Sequence, residues 1–208
     1  QVFGQVDIDM IAGPSEIGVI ADDSANPVHL GADLLSQAEH DPRARAIMVT
    51  NSEKLAQLVS DEVERQLLQL PRESIARPAI ENNSYIAVMD SVEDMFTVMN
   101  EVAPEHLEIQ LPDPMEYMSM VENAGSVFLG RYASEPLGDY VGGTNHVLPT
   151  SGTAKFSSPL GVYDFVKRIS FTQFSRERLQ EVAKDITTLA RTEGLEAHAR
   201  AIEVRFEK

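Results

Sequence analysis

Gln37 and His40 stand three residues apart at the close of an apolar run, and Asp33 precedes Gln37 by four. Spacing of i, i+4, i+7 puts all three on one face of a helix. A carboxylate, an amide and an imidazole beside buried leucines can hold a divalent cation or a polar substrate. The same residues also suit a helix that ends on a cationic His against its own dipole, and an amide is a poor zinc ligand by type. Glu105-His106, directly after Pro104, places a carboxylate next to an imidazole. Such a pair can share acid–base work near neutral pH, or form no more than a salt-linked loop contact. Asp139 lies in Pro136-Leu-Gly-Asp-Tyr-Val-Gly-Gly. The glycine-containing turns around it can aim a carboxylate, or the Asp stabilises its own turn. Glu193 and His198 form a fourth cluster near the far end, unremarkable alone. His146, in a polar loop, reads as loop packing or as support for a site, and His29, with no polar company, as structural.

Several chemistries are excluded. The chain contains no cysteine, which removes thiol catalysis, disulfides and thiolate zinc sites. It carries neither a GxSxG nor an HExxH pattern, and Gly142-Gly143 lacks the preceding strand and third glycine of a dinucleotide loop. A net charge of −16 offers no basic surface for nucleic acid. No apolar run reaches the ~18 residues of a membrane helix. The expected location is therefore cytoplasmic. Gln1 opens the sequence without an initiator Met or a signal peptide, so the chain is expected to be part of a longer protein.

The elements that must position these residues alternate. Strands are expected at 6–11, 17–21, 46–50, 84–89, 107–111 and 126–129, and helices at 27–39, 53–70, 92–102 and 114–123. Alternation of this kind means crossover units and an α/β fold with a mainly parallel sheet and flanking helices, Rossmann-like but incomplete. After Val147 the character changes to a turn-rich connector. It leads to a short helix at 160–168, a short strand at 169–173 and helices at 175–191 and 195–204. The domain division follows: an α/β catalytic domain over 1–150, and a mostly helical C-terminal extension over 151–208. The stripe Leu179, Val182, Ile186 and Leu189 on that extension should pack on the main domain or on a partner subunit.

Taken together, the clusters resemble histidinol dehydrogenase, the zinc-dependent enzyme that ends histidine biosynthesis. The matching stretches are Asp7-Ile-Asp-Met-Ile-Ala-Gly-Pro-Ser-Glu16, Ala32-Asp-Leu-Leu-Ser-Gln-Ala-Glu-His-Asp41 and Ala103-Pro-Glu-His-Leu-Glu108. They continue through Asn123-Ala-Gly-Ser-Val-Phe-Leu-Gly130, Gly138-Asp-Tyr and Asn145-His-Val-Leu-Pro-Thr150, then Asp164-Phe-Val-Lys-Arg and Glu193-Gly-Leu-Glu-Ala-His198. The resemblance runs collinearly through essentially the whole chain. It implies zinc ligands Gln37, His40, Asp139 and His198, the last from the neighbouring subunit of a homodimer. It implies contacts to L-histidinol from Ser15, Gln37, His40, His106, Asp139, Glu193 and His198, and an acid–base pair in Glu105 and His106. The implied reaction oxidises L-histidinol to L-histidinal and then L-histidine with two NAD+.

Two departures stand out. Gly18 replaces a larger apolar residue usual in the family, which is expected to loosen a strand by ~1 kcal/mol. Family members are also much longer, and the NAD-binding residues are expected in the missing N-terminal half. The chain alone is thus expected to be catalytically very weak. The alternative is a truncated, non-catalytic module that binds zinc and histidinol, and a zinc hydrolase in which Glu105 activates water is a more distant rival.

Overall fold

The computed structural model describes residues 2 and 4–207 and divides the chain into two compact units between Val166 and Lys167. The first unit is built on five parallel strands, β1 (Glu16–Ala21), β2 (Arg45–Thr50), β3 (Tyr85–Val88), β4 (His106–Gln110) and β5 (Ser126–Leu129), in the order β3-β2-β1-β4-β5. Five helices connect and cover them: α1 (Pro27–Ala38), α2 (Glu53–Leu67), α3 (Glu73–Asn83), α4 (Val92–Val102) and α5 (Glu135–Tyr140). Ile17, Val19, Ala21, Ala46 and Met48 pack with residues of α1, α2 and α3. Ile20, Ile47, Val49, Leu107 and Ile109 pack with Met95, Phe96 and Met99 of α4. Burial on both faces is why β1 and β2 read as largely apolar runs.

Local chemistry sets the helix starts. Asn26 accepts the Val28 N–H at 2.9 Å ahead of Pro27, Ser52 accepts from Leu55 at 3.1 Å, and Ser91 accepts from Asp94 at 3.1 Å. Helix α4 closes on Ala103 in the left-handed region, φ 49°, immediately before Pro104. The strand order reverses between β1 and β4. Open α/β sheets commonly receive ligands at the carboxyl ends of such neighbouring strands. Here Glu16 begins β1 and His106 begins β4, so the candidate side chains gather at the amino ends instead.

Several local expectations need correction. Residues 6–11 form no strand; Val6 makes one isolated bridge, and Ile11 is 82% exposed because no sheet face receives it. The helix expected over 53–70 stops at Leu67, and a separate helix, α3, follows with Pro78 inside it. The segment 114–123 is a 3₁₀ helix over Pro114–Met120, and 160–168 contains only the 3₁₀ turn Val162–Phe165. Residues 169–173 run exposed with no strand pairing.

Gly18 is also different from its expectation. It does not loosen the sheet, because packing demands it. A Cβ there would lie 2.9 Å from the Pro104 Cγ and closer still to the buried Met99 sulfur. Gly18→Val is therefore expected to destabilise the protein by about 1–3 kcal/mol through overpacking. Thermal or denaturant unfolding checks this, and unchanged stability would mean that α4 shifts freely.

The second unit, Lys167–Lys208, pairs α6 (Arg176–Thr192) with α7 (Glu196–Glu203). Ala190 and Ala199 are buried, and Arg191 pairs with Glu196 at 2.8 Å and with Glu203 at 2.9 Å. Within this unit Leu179, Val182 and Ile186 are half-buried, while Leu189 stays exposed. No described helix is long and apolar enough to cross a membrane.

Candidate active site

One backbone residue organises the acid–base pair. The Glu16 N–H donates to the Glu105 Oε2 at 3.0 Å, and the Glu16 carbonyl lies 3.0 Å from His106 Nδ1. A carbonyl can only accept, so Nδ1 carries the proton and the lone pair sits on Nε2. The Glu16 side chain is itself clamped, by Arg45 at 3.1 Å and by the Ser151 N–H at 3.1 Å. Burial pushes the His106 imidazole below its ordinary value of 6.5, with nearby His40 and His146 adding to the shift while Asp139 and the Glu16 contact oppose it. Burial likewise pushes the Glu105 carboxyl up to about 7, opposed by the Glu16 N–H and reinforced by Asp139. Near neutral pH the pair thus holds an uncharged base beside a carboxyl that gains or loses a proton easily.

Helix α5 brings the next groups. It was expected as a turn around Asp139, yet it is a short helix begun by Glu135-Pro136. Gly138 is needed inside it, because a Cβ would lie 2.7 Å from the Phe128 ring, which also packs against the His106 imidazole at 6.1 Å between centroids. The close approach directs Glu135 and Asp139 at His106, and the three residues offer ligand atoms within 4.8 Å of one another. Glu135 Oε1 lies 3.5 Å from His106 Nε2. Burial, then the Asp139 carboxylate, raises the Glu135 carboxyl above its ordinary range, with the Gln37 amide acting the other way. Gln37 is 1% exposed, and neither its amide oxygen nor its nitrogen finds a hydrogen-bond partner among the described residues. The same is true of His106 Nε2 and Glu135 Oε1. Orphaned buried polar atoms cost about 1–3 kcal/mol each when nothing meets them. Amide oxygen, carboxylates and imidazole converging this way fit a borderline divalent cation such as zinc.

Of the residues singled out from the sequence, Gln37, Glu105, His106 and Asp139 come together here, with His40 and His146 exposed at the edge. Ser15 lies on the segment entering β1, where its carbonyl accepts the Arg45 N–H at 3.0 Å. Glu193 caps α6 and His198 lies in α7, both exposed and both in the second unit. Asp33 does not join the cluster; it lies buried beside Glu108. Sequence reasoning missed Glu135 and Glu16. Ser134-Glu-Pro is a helix-start pattern that marks Glu135 as a first-turn acid, whereas the role of Glu16 runs through its backbone and leaves no side-chain signal.

A sequence model of the histidinol dehydrogenase family matches residues 1–206. The chain belongs to this family. It is 67% identical over 207 residues to the histidinol dehydrogenase of Lactiplantibacillus plantarum, a match that takes in 100% of this chain and 48% of that protein. It is 64% identical to the Streptococcus mutans histidinol dehydrogenase, again covering 48% of it. The crystal structure of histidinol dehydrogenase from Elizabethkingia anophelis superposes with a TM-score of 0.85 at 44% identity, over 97% of this chain and 46% of that one. The chain thus spans about half the length of the histidinol dehydrogenases it matches.

Proposed function

We propose that this chain supplies the zinc and acid–base half of a cytoplasmic histidinol dehydrogenase that oxidises L-histidinol through L-histidinal to L-histidine. The observation that carries the reading is the convergence of Gln37, His106, Glu135 and Asp139 around buried polar atoms that no hydrogen bond satisfies among the described residues. Gln37, His40 and Asp139 would hold the zinc, with His198 supplied by a second copy of the chain. Bound there, zinc would grip the imidazole and amine of the substrate and fix its carbinol carbon. Each oxidation delivers one hydride to NAD+, held by residues outside this chain.

The residues of this chain manage the protons. His106 Nε2 takes the hydroxyl proton as the first hydride leaves the carbinol carbon. Glu105 then removes a proton from the water that adds to the aldehyde while protonated His106 returns its proton to the aldehyde oxygen, and the freed His106 accepts a second hydroxyl proton as the hydrate loses its hydride. Ser15 and Glu193 complete the polar contacts to the amino alcohol, Glu193 as an anionic partner for its positive charge. Burial of the pair around Glu16 keeps the reactive aldehyde away from bulk water between steps. In the first unit, exposed Phe156, Tyr163 and Phe165 are apolar surface of a kind that a second copy would cover.

Histidinol-dependent NADH formation, measured for this chain alone and for the full-length protein, tests the reading. The full-length protein is expected to turn over and the chain alone to be nearly inactive; full turnover by the chain alone would place the cofactor site within it. Calorimetric uptake of zinc and histidinol with no NADH from either would favour the binding-module alternative, which the half-length match makes concrete. His198→Ala is expected to weaken zinc binding by about 100-fold or more, since even partners outside the ligand set act on a scale of 10–100-fold. Chelator competition measures this, and an unchanged affinity would remove His198 from the ligand set.

A further inference from the structure

Strand β4 reads His-Leu-Glu-Ile-Gln, and its alternation is unusual in being buried on both faces. Leu107 and Ile109 enter the apolar core beside α4. His106, Glu108 and Gln110 point the other way and are 5%, 0% and 6% exposed. Glu108 is the most enclosed of the three, and the proton transfers described above make no use of it. Its Oε1 accepts the Glu135 N–H at 2.9 Å, and its Oε2 accepts from the Gln110 amide at 3.0 Å. Asp33 of α1, itself buried, lies beside this carboxyl, and burial holds both acids above their ordinary range. Among the described residues, no lysine or arginine pairs with either acid.

Such an arrangement costs free energy, and an apolar pair would fill the space more cheaply. What it does is geometric. Helix α5 has six residues, too few to hold itself, and Ser134 at its N-cap makes no side-chain capping bond. The orphan N–H at its start is satisfied from the sheet, by Glu108. Asp33 lies one turn before Gln37 on α1. The two carboxyls therefore connect the helix that carries Gln37 with the helix that carries Glu135 and Asp139.

We propose that Glu108 and Asp33 are positioning residues: Glu108 caps α5 from the floor of the sheet and, with buried Asp33 beside it, sets the distance between the Gln37 amide and the carboxylates of Glu135 and Asp139. The metal readout rests on the zinc site proposed above; the structural readout does not.

The test separates reach from charge in the full-length protein. Glu108→Gln keeps the length and an acceptor for the Glu135 N–H, and its amide can donate to Asp33. Glu108→Asp keeps the charge but is too short to reach. Zinc affinity by chelator competition is expected to stay within about threefold for Glu108→Gln and to fall about tenfold or more for Glu108→Asp, on the scale of groups that orient ligands. Hydrogen exchange of the α5 amides, measured without metal, is expected to quicken at least about tenfold in Glu108→Asp only, as the capped N–H opens. Equal behaviour of the two variants, or a change confined to melting temperature, overturns the proposal. Asp33→Ala is the second variant, informative even if Glu108→Asp does not fold: zinc affinity should fall about threefold or more and recover in Asp33→Asn, which can donate to Glu108. No effect of Asp33→Ala overturns the role of the pair. If the parent protein binds no zinc, the metal assignment falls, and the exchange measurement still decides whether Glu108 positions α5.

Discussion

Replacing His106 with Asn is expected to lower histidinol-dependent NADH formation in the full-length protein by about 10²–10⁴-fold, the usual contribution of a positioned base. The asparagine amide can stand where Nδ1 stands and still donate to the Glu16 carbonyl, so β4 keeps its anchor. What disappears is Nε2, the buried ring nitrogen without a partner. Zinc affinity is expected to stay near that of the parent protein. Should it fall in step with activity, His106 serves as a ligand, an outcome that its place within 4.8 Å of Glu135 and Asp139 makes worth measuring. The pH profile adds a check with a defined sign. In the proposed mechanism the neutral imidazole is the active form, and burial lowers its pKa below 6.5. Activity limited by His106 therefore persists on the acid side of a free imidazole and is lost as pH falls through the lowered value.

Glu105→Gln is expected to divide the reaction in two. In the proposed mechanism the carboxylate serves only the hydration of the aldehyde, so oxidation of histidinol should continue while oxidation of supplied histidinal falls about 10²–10³-fold. Product analysis should then show aldehyde in place of acid, with one NADH formed per histidinol consumed. In the parent protein the same division should appear with pH. Glu105 is pushed up to about 7 and must be ionised to act, so the second oxidation weakens below that pH while the first continues. Equal loss of both oxidations in Glu105→Gln would assign Glu105 to a shared step, such as holding the Glu16 N–H and through it the position of His106.

The parts of the fold that were legible follow from local rules. Asn26-Pro27, Ser52 and Ser91 start helices because a side-chain oxygen meets an orphan N–H, and each does so where the sequence indicates. The parallel strands declare themselves by apolar runs that can be buried on both faces. The misses have an equally physical source. Residues 6–11 and 169–173 have strand-like composition, but a strand requires a neighbour along its length to receive its N–H and C=O groups; among the described residues the first segment has only the single bridge at Val6 and the second has none. Helix α5 escapes notice because its start is capped by Glu108, distant in sequence, and its turn holding Gly138 is shaped by the Phe128 ring.

The candidate site divides along the same line. Residue types and order were sufficient for the family, because a collinear set of motifs survives without any knowledge of shape, and they singled out Gln37, Glu105, His106 and Asp139, which the fold brings together. Tertiary structure alone decided that β4 turns His106, Glu108 and Gln110 inward, that the Glu16 backbone selects the His106 tautomer, and that Glu135 joins Asp139 while Asp33 lies beside Glu108. An alternating strand reads the same whether its polar face meets water or a helix. Whether a carboxylate is a surface charge or a buried support is settled by what packs over it, and that is a property of the assembled chain.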